Sequence, residues 1–177
     1  MPAATAHVLR LRDGTCLAAR PIEPGDKPAL ASFFARLSDE SRYRRFLGPK
    51  PKLSSRDLAF LTEVDGDRHV ALVALDGDGA IVGVARYAAW LDRPGHSEIA
   101  FAVADDWHGR GLATALVERL VAHAGRAGIA TLTASTLADN AAAQALLRRF
   151  GFSLRRTSAG VAEFELELVP VALPAAA

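Results

Sequence analysis

Residues 101–116 read FAVADDWHGRGLATAL, and this stretch decides the fold. The strand-like residues Ile99, Phe101 and Val103 run into a polar corner at Asp105 and Asp106. The corner passes through His108-Gly109-Arg110-Gly111 and opens directly into a helix rich in leucine and alanine. A strand, a tight loop and a helix N-terminus in succession read either as plain turn chemistry or as an anion site. The first turn of a helix has backbone N–H groups without partners, and the macrodipole puts partial positive charge there. Glycines let that backbone approach a bulky anion such as a pyrophosphate. Arg110 can add a charge-assisted hydrogen bond. A P-loop is excluded, because Gly-Lys-Ser/Thr occurs nowhere in the chain. A dinucleotide fingerprint of the GxGxxG type fails at Thr114, where its third glycine would stand.

Outward from this centre, residues 7–12 and 15–22 read as strands joined at Asp13-Gly14, a hairpin signal. Pro24-Gly25-Asp26 ends the second strand and starts a helix carrying Leu30, Phe33, Phe34 and Leu37 at helical spacing. Ser38 caps a second short helix with Tyr43, Phe46 and Leu47, ended by Gly48-Pro49. Ser54 and Asp57 resemble a capping box ahead of residues 58–61. Residues 69–75 and 80–90 pair across Asp76-Gly77-Asp78-Gly79. An EF-hand reading of that loop fails, because Tyr87 stands where the closing glutamate is required.

Residues 96–104 form the strand that enters the glycine loop, and Leu112, Leu116 and Leu120 share one face of the helix over residues 112–126. A β-branched strand over 130–136 and a helix over 140–150 follow, then a last hairpin over 152–158 and 161–168. Strands and helices mix without a strict βαβ repeat. The expected class is therefore α/β, a mixed α+β sheet with helices on both faces. Residues 1–169 are expected to form one domain, and residues 170–177 a loose tail.

Composition sets further bounds. With 21 Lys+Arg against 20 Asp+Glu, the net charge of +1 leaves no electrostatic footprint for nucleic acid. Lys27, Lys50 and Lys52 are the only lysines. Cys16 is the single cysteine, which excludes an intrachain disulfide and a multi-cysteine zinc site; its expected role is small, apolar and buried. His96-x-Glu98 matches half of the zinc-deaminase signature, but the P-C-x-x-C half needs two cysteines, and no metal is expected. The N-terminus has no signal-peptide pattern, and apolar runs such as residues 70–75 are far too short to cross a bilayer. A cytoplasmic protein without a membrane partner is expected, as a monomer or a homodimer.

Two separated motifs give the chain a resemblance. His108-x-x-Gly111-x-Ala113 resembles the Q/R-x-x-G-x-G/A motif of the GNAT superfamily of N-acetyltransferases, with His in place of Gln or Arg. Asn140-x-x-Ala143-x-x-Leu146-Leu147, followed by Gly151-Phe152, resembles that family's N-x-x-A-x-x-L-Y…G-F segment. The order of elements also fits, so the likeness covers nearly the whole chain. Within the family, Ser38-Asp-Glu-Ser41-Arg-Tyr43-Arg-Arg45-Phe46 resembles a segment of Pat-type protein lysine acetyltransferases.

The resemblance implies a GNAT-like fold with a mostly antiparallel sheet, acetyl-CoA as co-substrate and an amine acceptor, protein lysine or small molecule. It implies cofactor contacts from Phe101, Ala102, Val103, His108, Gly109, Arg110, Gly111, Leu112, Ala113 and Asn140. Tyr43 and Arg45 become acceptor-side candidates.

Glu98 shares a strand face with His96, Ala100 and Ala102, so small side chains leave space beside its carboxylate. By pattern alone it reads as a solvated strand glutamate; the resemblance implies a general base. Asn140 reads equally as an N-cap and as a ligand contact. Leu147 stands where many members of the family carry a tyrosine that protonates the leaving thiolate. A thiol has a pKa of about 8.5 and can leave near neutral pH without that help. The leucine keeps open a second reading, an acyl-CoA-binding module without catalysis.

Overall fold

The computed structural model describes residues 7–168, so the tail expected over residues 170–177 lies outside the described residues. At Asp13-Gly14 the chain reverses: β1 (His7–Arg10) runs back along β2 (Cys16–Pro21), with His7 opposite Ala19 and Arg10 opposite Cys16. Three helices follow, α1 (Lys27–Arg36), α2 (Asp39–Phe46) and α3 (Ser55–Thr62). Side-chain caps set two of their starts. Ser38 Oγ accepts from the Ser41 N–H, and Ser54 and Asp57 satisfy each other's backbone N–H groups. Leu47 falls outside α2. It takes left-handed backbone geometry, φ 55°, and its N–H donates to the Tyr43 carbonyl.

The remaining elements are β3 (His69–Leu75), β4 (Ile81–Ala89), β5 (His96–Val103), α4 (Leu112–Arg126), β6 (Thr131–Leu137), α5 (Ala141–Arg149), β7 (Ser153–Ser158) and β8 (Val161–Glu167). They complete one eight-stranded sheet in the order β1-β2-β3-β4-β5-β6-β8-β7. Neighbouring strands are antiparallel except β5 and β6, which α4 joins in parallel. The mixed sheet and the element order are those the sequence implies. The last hairpin folds so that β8 lies inside: β8 buries Ala162 and Phe164, while all six residues of β7 are exposed at the edge.

Apolar side chains cover both faces. On one, Leu112, Leu116, Val117, Leu120 and Ala124 of α4 pack on Val82, Ala85, Tyr87, Ile99 and Val103, with Leu147 of α5 and Phe164 extending that core. On the other, Leu30, Phe33 and Phe34 of α1, with Leu61 of α3, pack on Ile22, Ala71, Val73, Ile81 and Val84. Each fully buried leucine or phenylalanine contributes about 1.5–3 kcal/mol. α4 lies close against β4 because Gly83 has no side chain: a Cβ there would sit 3.0 Å from Leu116 Cδ1 and 3.1 Å from Leu112 Cδ2. Cys16 corrects the sequence reading. It is exposed, because strand alternation gives the inward positions of β2 to Leu17 and Ala19.

Candidate active site

β5 and β6 are paired only at His96–Thr131, Ser97–Leu132 and Glu98–Thr133. Beyond these pairs β5 continues to Val103 and β6 to Leu137 without a shared ladder. The other edge of β5 stays bonded to β4 as far as Gly83 opposite Val103. A gap therefore opens inside the sheet. It forms a cleft of about 1240 Å³, walled by residues 98–103 of β5, Ala134, Ser135 and Thr136 of β6, the glycine loop and the first turn of α4. Phe101, Ala102 and Val103 all lie on this wall. Their backbone groups on the β6 side have no strand partner, and buried N–H and C=O groups require one. An extended ligand carrying amides meets that requirement.

The far end of the cleft is the N-terminus of α4. Gly111 is its N-cap, at φ 90° and ψ 5°, and no side chain caps the turn. The N–H groups of the first turn are left for a ligand. His108, Gly109, Gly111, Leu112 and Ala113 line this end. His108 Nε2 donates to the Val103 carbonyl at 3.0 Å, which ties the loop back to the strand that feeds it.

Arg110 lies elsewhere. Its Nε donates to Asp13 Oδ2 at 2.7 Å and its Nη2 to Thr15 Oγ1 at 2.8 Å, and its guanidinium carbon stands 4.1 Å from the Trp107 ring centre. The Thr15 N–H and then Arg110 hold the Asp13 carboxyl at about 2. Arg110 thus clamps the β1–β2 turn to the glycine loop, and its side chain is not among the cleft walls. Arg12 takes that place. It lines the cleft beside Gly111, where a Cβ would come 3.1 Å from its Cγ, and its N–H donates to the Arg110 carbonyl at 3.3 Å. Arg12 has no signal in the sequence, because only the packing of the first turn brings it there.

The near end holds Glu98, exposed on β5 where the two strands part, opposite Ala88 and Thr133. Arg86 stands on the same face, since opposite residues of an antiparallel pair share a face and Arg86 faces Ala100. It was missed in the sequence, although a lone charge inside the apolar run IVGVARYAA is a visible signal. Arg45 of α2 also lines the cleft; Tyr43, on the same helix, is exposed and does not. α2 is fixed over this end by Asp105. The carboxylate accepts from the Ser38 N–H at 2.9 Å, from Ser38 Oγ at 2.7 Å and from Ser41 Oγ at 2.7 Å. Apolar side chains, Phe60, Trp90 and Leu91, ring the mouth, and Trp90 Nε1 donates to Thr133 Oγ1 at 3.1 Å.

On α5, Asn140 both caps the helix and lines the cleft. Its Oδ1 accepts from the Ala143 N–H at 3.2 Å. Leu147 lines the cleft while being 1% exposed, and as a leucine it offers no hydroxyl there. Among the described residues no group of three or more His, Cys, Asp or Glu is placed to hold a metal ion, and no helix is long and apolar enough to cross a membrane.

The split sheet thus joins an open helix N-terminus at one end of the cleft to a strand carboxylate at the other. Residues 33–152 match the acetyltransferase (GNAT) family, and the chain belongs to that family. It is 32% identical over 168 residues to the acetyltransferase Pat of Mycolicibacterium smegmatis, covering 92% of this chain and 49% of that protein. The chain therefore spans about half the length of this relative. It is 35% identical over 145 residues to an acetyltransferase of Pseudomonas aeruginosa, covering 80% of this chain and 77% of that one. Among solved structures, the GNAT domain of S. lividans PAT superposes with a TM-score of 0.86 at 33% identity, over 92% of this chain and 97% of that one.

Proposed function

We propose that the chain transfers the acetyl group of acetyl-CoA to a primary amine by direct attack in a ternary complex. The observation that carries this reading is the single cleft that joins Glu98 to the open N-terminus of α4. The pyrophosphate would lie against the N–H groups of residues 111–113 with Arg12 beside them, and the pantetheine amides along residues 101–103 of β5. The amine nitrogen attacks the thioester carbonyl carbon, the C–N bond forms, and the C–S bond breaks. The ammonium proton passes to Glu98 directly or through one water, and the thiolate takes up a proton to leave as CoA thiol. A lysine-type amine has a pKa near 10.4, so at pH 7 only about one molecule in 2,500 is neutral, a handicap of roughly 4.6 kcal/mol. A positioned general base supplies ~10²–10⁴-fold, the size needed to offset much of it.

A protein lysine is the acceptor favoured by the likeness of residues 38–46 to Pat-type enzymes; a small-molecule amine is the other. Leu147, apolar where a tyrosine would donate a proton, is what favours the second reading, an acyl-CoA-binding module without turnover. CoA release from acetyl-CoA with a panel of amines and proteins separates the two. Release that depends on an acceptor is expected, while tight acetyl-CoA binding with no turnover across the panel supports the module. Glu98→Gln keeps shape but cannot accept the proton. It is expected to lower kcat at least ~100-fold at pH 7, with acetyl-CoA affinity within about threefold, and the defect should shrink as pH rises toward the amine's pKa. Near-normal kcat in this variant would put the base elsewhere.

A further inference from the structure

Two arginines face the acceptor end of the cleft without an ion-pair partner among the described residues. Arg86, the only charged residue of β4, is 5% exposed. Its Nη1 donates to the Leu61 carbonyl at 3.0 Å and lies 3.2 Å from His69 Nε2. Burial and then the charge of Arg86 hold His69 down at about 4, so that ring is neutral at pH 7 and its Nε2 accepts from Arg86. Neither partner brings a negative charge. Arg45 forms no hydrogen bond or ion pair with the described residues, and its guanidinium carbon lies 5.0 Å from the Phe46 ring centre. Both arginines line the cleft, and both also line a cavity of about 30 Å³ beside it, next to Phe34, Ala100 and Ala102.

Among the described residues, Arg42 Nε is the one buried side-chain polar atom without a partner. The Nε and Nη2 of Arg86 and the guanidinium of Arg45 therefore open onto the free volume of the cleft and the cavity. Placing two cations side by side out of water is costly unless an anion joins them. Burial and then the Arg45 charge pull Arg86 down to about 9. Burial lowers Arg45 too, against the opposing pull of Glu98. Other basic residues at this end have acidic partners: Arg44 pairs with Glu40, and Lys50 with Asp57. The planar fork of a guanidinium matches the two oxygens of a carboxylate.

We infer that the acceptor carries a carboxylate within a few bonds of its amine, and that Arg86 and Arg45 bind this carboxylate while Glu98 faces the amine. The inference rests on the acetyltransfer reading given above. The spacing suits it. Glu98 pairs with Ala88, so Arg86 lies on the diagonal from Glu98, roughly 7–8 Å away at the backbone, with alanines between them. Two sources share this chemistry: a free amino acid, whose own carboxylate adjoins its amine, and a lysine flanked by Asp or Glu in a peptide.

The 177-residue chain is tested with two matched pairs of acceptors. One is a free amino acid against its carboxamide; the other is a lysine peptide with flanking Glu against the same peptide with Gln. kcat/KM is expected to favour the carboxylate member at least tenfold in one pair, and that pair identifies the source. Arg45→Gln and Arg86→Gln should each lower that preference by about ten- to a hundredfold, through KM. Arg86→Gln also loses the bond to Leu61 and can unfold the protein. The wild type and Arg45→Gln are therefore titrated by calorimetry, with CoA present, using the N-acetylated acceptor as carboxylate and as carboxamide. Turnover without carboxylate preference overturns the inference and leaves the acetyltransfer reading standing; so does a preference that persists in Arg45→Gln and in folded Arg86→Gln. Carboxylate-selective binding that Arg45→Gln weakens, without turnover of any amine, retains the anion site and overturns acetyltransfer. Neither turnover nor selective binding overturns both.

Discussion

Gly111→Ala probes the loop that the whole cleft depends on. Gly111 sits at φ 90°, and an added Cβ would meet Arg12 Cγ at 3.1 Å and Cδ at 3.4 Å. The added side chain is aimed at the stem of Arg12. An L-residue in left-handed geometry costs about 1–2 kcal/mol, and the Arg12 stem must shift by a few tenths of an ångström. For a chain of this size each 1 kcal/mol lowers Tm by about 2–4 °C, so a loss of roughly 2–8 °C is expected. Relief of the strain turns the loop and the first N–H groups of α4 away from the anion. Acetyl-CoA affinity should fall tenfold or more, at least about 1.4 kcal/mol. Gly128→Ala is the control, since φ is +75° there and a Cβ meets nothing within 4 Å. It should show the same order of stability loss with unchanged affinity. Urea unfolding and calorimetry read the two quantities separately. A folded Gly111→Ala protein that binds acetyl-CoA as the wild type does would refute the reasoning.

Other outcomes follow from the packing and from Asp105. A Cβ at position 83 presses on two buried leucine ends that cannot swing into solvent, so Gly83→Ala should lose ~1–3 kcal/mol in urea unfolding, and an unchanged midpoint would show that α4 has slack. Burial pushes the Asp105 carboxyl up, but the Ser38 N–H and the hydroxyls of Ser41 and Ser38 outweigh it, and the net shift is downward. The anchoring of α2 is therefore fully present above the ordinary carboxylate value and is lost as pH falls through the lowered one. Hydrogen exchange in α2 should speed up below about pH 4. In Asp105→Asn it should be fast throughout and lose that dependence; the same dependence in the variant would assign it to another group.

Much of this fold was legible because its boundaries are set locally. Leu112, Leu116 and Leu120 at helical spacing, with Gly111 before them, define α4, whose observed bounds Leu112–Arg126 are those the pattern implies. Ser38 and the Ser54–Asp57 pair gave α2 and α3 their starts in the same way. The face of Cys16 was not legible, because cysteine, leucine and alanine follow one another and show no alternation to read. The inner place of β8 had a signal in its alternating VAEFELE against the polar SLRRTS of β7. The site divides along the same line. Glu98 and the glycine loop belong to one continuous segment and were found together. Arg12 reaches the loop only through the packing of a turn about a hundred residues earlier in the chain, and Arg110 is drawn off by Asp13 from that same turn.

The three-pair join between β5 and β6 also governs how the cleft comes into being. Strands β1 to β5 form one run of antiparallel neighbours, with the three helices inserted between β2 and β3, and β6, β8 and β7 assemble from the last third of the chain. The halves meet only when Thr131 docks beside His96, closing a loop of 35 residues (131 − 96). Parallel pairings at such separation form slowly, after local hairpins are in place. One wall of the cleft belongs to each half. A nascent or partly unfolded chain can hold a complete meander and still have no binding site, so ligand binding reports on completed folding of both halves together.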